Sequence, residues 1–207
     1  MTATLPRIHN PAFLIFVRHG QTDWNREGRM QGQKDIPLNP LGRLQADDNG
    51  LRLSEYLSRN GLTPETFDFV ASPLGRTRDT MERVRKGMGL APSEYRHEDL
   101  LKELTFGAWE GHTLEELAMS HPELVELRRK DKYQFVPPGG GESYEMLRQR
   151  IAKWLVTVDK PTICVAHGGV MRVMRGMLEG LPPEMVSKLD VPQDRVFVWK
   201  DSKGDWF

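Results

Sequence analysis

A chain of 207 residues with Lys+Arg 29 against Asp+Glu 29 has no net charge. It lacks the basic excess with which polyanion-binding proteins hold nucleic acid, so any phosphate affinity must come from a local site. Its 38% hydrophobic and 28% charged residues suit one globular domain over residues 1–207. No apolar run approaches the roughly 20 residues of a membrane span. Met1 to Ala12 hold Pro6, His9, Asn10 and Pro11 in place of a signal core, and the single Cys164 excludes an internal disulfide. A cytoplasmic protein that contacts neither membrane nor nucleic acid is expected.

In chain order, the apolar run Phe13–Val17 reads as a short strand buried on both faces, and it runs directly into Arg18-His19-Gly20. A polar, glycine-containing stretch leads to Asn39-Pro40, where Asn at the cap and Pro at the first helical position predict a helix to about Ser58. Phe67–Ala71 reads as a second strand ending at Ser72-Pro73, followed by a helix from about Gly75 to Met88 with Arg76 in its first turn. From about Gly111 to Tyr133 the pattern is helical with an interruption at Pro122, and Pro137 to Gly141 must be a loop. After Ser143, the residues Leu147, Ile151, Trp154, Leu155 and Val158 share one helix face. Thr162–Ala166 is the next strand, running into His167-Gly168-Gly169 and then a helix through Val170, Val173, Met174 and Met177. Arg195 to Trp199, a turn over Asp201–Gly204 and a return strand over Asp205–Phe207 complete the pattern. Strands alternating with helices predict an α/β fold, a three-layer αβα sandwich around a mostly parallel sheet.

The informative repetition is a strand followed by His-Gly, first at His19-Gly20 and again at His167-Gly168. Ligands of open α/β sheets bind beyond the carboxyl ends of the strands, so neighbouring strands would turn both imidazoles into one pocket. A glycine after each histidine lets the backbone turn sharply and approach a ligand. Arg18 and Arg76 fall at strand ends on the same side, and a guanidinium fork matches phosphate oxygens. Gln21, Thr22 and Asn25 add neutral donors to the first loop. Two histidines and two arginines describe an anion site, and the neighbouring cations favour the neutral, nucleophilic form of an imidazole.

The string Arg18-His-Gly-Gln-Thr-Asp-Trp-Asn25, with Gln31-Gly32, Asp35-Ile-Pro-Leu38, Gly42 and Gln45-Ala46, resembles the opening signature of the histidine phosphatase superfamily, the phosphoglycerate mutase-like family. Ser72-Pro-Leu-Gly-Arg76 with Thr80, Leu101-Lys-Glu103, Phe106-Gly-Ala-Trp-Glu-Gly111, Gly141-Glu-Ser143 and Val165-Ala-His-Gly168 continue the resemblance from about Phe13 to Leu178. It implies a phosphoglycerate mutase-like fold and a phosphohistidine intermediate on His19. Arg18, Arg76 and His167 would bind the phosphoryl oxygens with help from Asn25, Gln31, Gly32 and Gly168, and Glu103 would donate a proton to the leaving oxygen. Without the resemblance, Glu103 reads as a solvated or ion-paired carboxylate. No metal is then needed and no cofactor is expected.

The leading expectation is a phosphomonoesterase acting on a small phosphorylated metabolite, as a monomer or homodimer. The alternative is a cofactor-dependent phosphoglycerate mutase, which would require 2,3-bisphosphoglycerate. Against it, the chain lacks the longer insertion that the resemblance gives to mutases after the Phe-Gly segment. A third reading is a catalytically silent phospho-ligand-binding module, which the intact His19, His167, Arg18, Arg76 and Glu103 disfavour. Met171, Met174 and Met177 read as core filling and Cys164 as a small buried hydrophobe. His9, His97, His112 and His121 read as surface residues, and Gly139-Gly-Gly141 as a flexible turn with Glu142 and Ser143 near the pocket rim. The Arg128-Arg-Lys130 and Lys132 cluster reads as a solvated helix end, with recognition of an anionic substrate as its alternative.

Overall fold

The computed structural model describes Pro11 and residues 13–207; His9 and the rest of the opening segment lie outside the described residues. Six strands form one sheet in the order β3-β2-β4-β1-β5-β6. They are β1 (Phe13–Arg18), β2 (Asp68–Ala71), β3 (Arg96–His97), β4 (Thr162–Ala166), β5 (Val196–Lys200) and β6 (Lys203–Trp206). The pairs β1/β4, β2/β4 and β2/β3 are parallel, whereas β5 runs antiparallel to both β1 and β6. The sheet is therefore mixed, with a parallel half that carries the His-Gly strand ends.

Side chains along a strand alternate between faces, and β1 divides accordingly. Leu14 and Phe16 join Trp154, Leu155, Val170 and Met174 on one face, while Ile15 and Val17 join Leu53, Leu57, Met81 and Val84 on the other. These apolar layers dock α6 (Tyr144–Leu155) and α7 (Gly168–Leu178) on one side, and α2 (Pro40–Arg59) and α3 (Gly75–Gly87) on the other. The three-layer expectation holds. Asn39 caps α2 by accepting from the Gly42 N–H at 2.9 Å, with Pro40 at the first position. Met171 and Met174 are core residues, Met177 packs against that core, and Cys164 is fully buried.

A smaller cluster of Met30, Trp109, Leu117 and Val125 supports α4 (Leu114–Ser120) and α5 (Pro122–Lys130), which meet at the Pro122 break. Three short pieces went unread in the sequence: α1 (Asp23–Arg26), the two-residue β3 and α8 (Pro183–Val186). The last hairpin is also tighter than expected. Asp201 and Ser202 both adopt positive φ, 51° and 59°, so the turn is two residues and β6 begins at Lys203. Among the described residues no helix is long and apolar enough to cross a membrane.

Candidate active site

Because Arg18 lies opposite Ala166 in the β1/β4 register, His19 and His167 leave the sheet side by side at its carboxyl end. The His19 backbone N–H donates to the Ala166 carbonyl at 3.0 Å and joins the two strand ends. Their ring centroids are 5.2 Å apart with planes at 61°. His19 lines a cavity of about 200 Å³ together with Arg18, Asn25, Gln31, Gly32, Arg76, Glu103 and Gly168, and His167 lies behind it, fully buried. Every site residue read from the sequence is thus brought to one place.

The hydrogen bonds assign the nitrogens. His19 Nδ1 lies 2.8 Å from the Gly20 carbonyl oxygen, which can only accept, so Nδ1 carries the proton and Nε2 keeps its lone pair. Burial, then Arg76 and Arg18, hold the His19 pKa well below the ordinary histidine value, so the ring is neutral at pH 7. His167 Nε2 lies 2.8 Å from Ser72 Oγ, while Nδ1 is buried without a partner. With Ser72 donating to Nε2, Nδ1–H is a donor waiting for an oxygen. Burial, Arg76, His19, Arg18 and Arg150 hold His167 neutral as well.

The two arginines divide their tasks. Arg18 Nη1 donates to the Val191 carbonyl at 2.6 Å, while Nε is buried and unbonded, which leaves the Nε/Nη2 edge as a fork for an anion. Arg76 is committed to the chain around it. It donates to the Lys34 and Gly32 carbonyls, each at 2.7 Å. With the Gln31 amide oxygen turned toward it, Arg76 also donates there from Nε at 2.7 Å and Nη1 at 3.1 Å. Of the five guanidinium N–H groups these four bonds leave one, so Arg76 anchors the Gln31–Lys34 loop and offers a single donor. Burial lowers both arginines to about 10, and both stay charged at neutral pH.

Asn25 completes a capping box with Thr22. Its Oδ1 accepts from Thr22 N at 3.2 Å and from Gln193 Nε2 at 3.1 Å, which leaves its amide nitrogen for a ligand. Glu103 is half-buried on the wall, and its oxygens accept the Leu104 and Gly169 N–H groups, each at 3.0 Å. Arg150 braces the segment before it by donating to the Leu100 and Lys102 carbonyls, at 2.5 and 2.8 Å. The same guanidinium pairs with Glu142 at 2.7 Å, and Ser143 caps α6 by accepting from Met146 N at 3.2 Å. Glu142 and Ser143 therefore support the wall from behind.

The two glycines differ in purpose. A Cβ at Gly20 would collide with the Gly42 carbonyl, so this residue is small in order to seat the His19 loop on α2 rather than to admit a ligand. A Cβ at Gly168 would sit 3.3 Å from Arg172 Nη1 and 3.4 Å from Arg18 Nε, so that glycine does open the pocket. Sequence reasoning missed Arg172, Arg29 and Phe106 on the cavity wall, Ser72 behind His167 and Gln193 on Asn25. Arg172 was detectable, four residues after Gly168 and so on the same helix face. Gln193 is far away in the chain and gave no signal. The histidines read as surface residues, His97, His112 and His121, are all exposed. A larger hollow of about 590 Å³ lies at the opposite, amino-terminal end of the strands, around Asp68, Arg96, Asp159 and Thr162. It contains no histidine.

A sequence profile of the histidine phosphatase superfamily (branch 1) matches residues 14–206, an interval that holds every residue of this pocket. The chain belongs to that superfamily. Glucosyl-3-phosphoglycerate phosphatase of Mycolicibacterium vanbaalenii is 31% identical over 180 residues, covering 82% of this chain and 75% of that one. The 2,3-bisphosphoglycerate-dependent phosphoglycerate mutase of Nitrobacter hamburgensis is 31% identical over 186 residues, 86% of each chain. Among solved structures, mycobacterial glucosyl-3-phosphoglycerate phosphatase complexed with VO3 superposes with a TM-score of 0.73 at 28% identity, covering 95% of this chain and 96% of that one. This histidine phosphatase superfamily member is an enzyme of the phosphatase and phosphoglycerate mutase class. The equal coverage with the Nitrobacter mutase also removes chain length as a means of separating the two activities.

Proposed function

We propose that this superfamily member is a phosphomonoesterase that cleaves a small phosphorylated metabolite through a phosphohistidine on His19. The observation that carries the reading is the His19 Nδ1–Gly20 bond in a ring kept neutral by burial and two arginines. It leaves Nε2 as a fixed nucleophile. Nε2 attacks phosphorus as the ester P–O bond breaks, and Glu103 delivers a proton to the departing oxygen. The Arg18 fork, the spare Arg76 N–H, His167 Nδ1–H and the Asn25 amide bind the equatorial oxygens, where charge spreads in the transition state. Water then attacks phosphorus, Glu103 takes its proton, the N–P bond breaks, and phosphate leaves. Fixed donors supply the charge neutralisation in this scheme, and among the described residues no three His, Cys, Asp or Glu side chains gather as a metal's donor set. VO3 bound to a related phosphatase supports orthovanadate as an inhibitor here.

The second reading, a bisphosphoglycerate-dependent mutase, has the Nitrobacter relative in its favour. Phosphate release from a panel of phosphorylated metabolites, run beside a mutase assay primed with 2,3-bisphosphoglycerate, decides between them. Hydrolysis should exceed interconversion of the phosphoglycerates. Rapid interconversion with little phosphate released would establish the mutase.

A further inference from the structure

Glu103 and the loop held by Arg76 belong to separate segments of the chain, and a carboxylate that does not line the cavity joins them. Trp109 is buried in the smaller cluster with Met30, Leu117 and Val125, and this fixes Glu110, the next residue, against Gly32. A Cβ on Gly32 would lie 2.0 Å from Glu110 Oε1, so the missing side chain makes room for that carboxylate. Glu110 Oε1 accepts the Gln33 N–H of the loop at 3.0 Å. The same oxygen accepts the Thr105 hydroxyl at 2.9 Å and the Phe106 N–H at 3.2 Å, both from the segment that follows Glu103. Thr105 Oγ1 itself accepts the Gly107 N–H at 3.1 Å, which leaves the hydroxyl proton for Glu110. Gln33 makes a second link, because its side-chain Nε2 donates to the Glu103 carbonyl at 2.9 Å.

The same loop is gripped from the phosphate side. Arg76 bonds the Gly32 and Lys34 carbonyls, on either side of Gln33. A continuous run of hydrogen bonds therefore leads from Arg76 through residues 32–34 to Glu110, and on to the backbone at and after Glu103. A proton donor displaced by about 1 Å from the oxygen it serves can lose roughly 10²-fold in rate, so the spacing between Arg76 and Glu103 bears directly on the chemistry. Resting on the phosphatase reading above, we propose that Glu110 is a positioning residue. Through Gln33, Thr105 and Phe106 it holds the Glu103 carboxyl at the leaving oxygen of a phosphoryl group seated on Arg76. An ionised acceptor suits this task, because hydrogen bonds to a carboxylate are about twice as strong as neutral ones.

The test measures single-turnover phosphorylation of the enzyme by an alkyl phosphate and by p-nitrophenyl phosphate in Glu110→Leu, Glu110→Gln and Gln33→Met. The ratio of the two rates is read within each variant, so that differences in folded fraction cancel. Glu110→Leu should slow the alkyl ester roughly 10–100-fold, the worth of a charge-assisted bond, and p-nitrophenyl phosphate much less. Gln33→Met, at an exposed position, should slow the alkyl ester roughly 3–10-fold, the worth of one neutral bond. Glu110→Gln keeps an oxygen acceptor and should restore most of the alkyl rate. The deciding arm repeats Glu110→Leu in the Glu103→Gln background, where there is no acid proton to place, and there the loss on the alkyl ester should vanish. A loss of full size in that background, or equal losses on both esters, would overturn the positioning role and leave the phosphatase reading intact. Glu110→Gln as slow as Glu110→Leu would overturn the hydrogen-bonded link. No hydrolysis of any ester by the wild type, p-nitrophenyl phosphate included, would overturn the phosphatase reading and the positioning role with it.

Discussion

At the scale of single residues the proposed chemistry turns on which nitrogen, oxygen or N–H is left without a protein partner. His19→Ala should abolish turnover, and wild-type enzyme quenched in denaturant during turnover should retain acid-labile, base-stable phosphate on His19; label on any other residue would exclude the mechanism. Arg18→Lys keeps the charge but loses the free Nε/Nη2 edge. It should lower kcat/KM roughly 10–100-fold, the value of one charged hydrogen bond, and a smaller loss would show that charge alone suffices. Glu103→Gln retains shape while removing the acidic proton. In single-turnover experiments it should slow phosphorylation by alkyl phosphates roughly 10²–10⁴-fold and by p-nitrophenyl phosphate far less, because nitrophenolate departs without a proton. Equal losses on both substrates would make Glu103 a positioning group. Its carboxylate accepts the Gly169 N–H, so the substitution also reports on how firmly that wall is held.

At the scale of elements, close backbone contacts set where the loop that carries His19 sits. The Gly20 N–H donates to Thr80 Oγ1 of α3 at 3.1 Å, and the missing Gly20 side chain admits the Gly42 carbonyl of α2. Gly20→Ala should therefore cost about 1–3 kcal/mol in urea denaturation, as overpacking does, and lower the activity of the molecules that still fold. The strand-helix succession was legible because buried parallel strands are short apolar runs such as Phe13–Val17 and Thr162–Ala166, each delivering a His-Gly pair at its carboxyl end. What escaped was set by contacts distant in sequence. β3 has two exposed polar residues and exists as a strand only because β2 lies beside it. Asp201-Ser202 carries none of the Asn-Gly character that usually marks a two-residue turn. The division of labour between Arg18 and Arg76 depends on the carbonyls of Val191, Gly32 and Lys34, and no local pattern announces those.

At the scale of the whole molecule, two buried neutral histidines tie stability to pH. Both have folded-state values well below the ordinary one, so as pH falls below about 6.5 the unfolded chain takes up protons that the folded chain refuses. Stability is then lost on acidification, at up to about 1.4 kcal/mol per pH unit for each histidine until its folded value is reached. The urea midpoint should decline between pH 7 and pH 5, and His167→Asn should flatten that slope. An unchanged slope would place the acid sensitivity elsewhere.

The central position of β1 also governs when the pocket comes into being. This strand is made before all the others described, yet its neighbours are β4 and β5, and residues 13–17 are in register with 196–200. Arg18 is oriented by Val191, and His19 and Asn25 by Gln193. At about 5–20 residues per second of synthesis, His19 waits roughly 10–40 s for the segment that completes its surroundings. Pairings this remote also make folding slow once the segment has emerged. Between the synthesis of β1 and that of β5 a nascent chain therefore carries His19 without the pocket around it, which forms only after the later strands have closed on the earlier one.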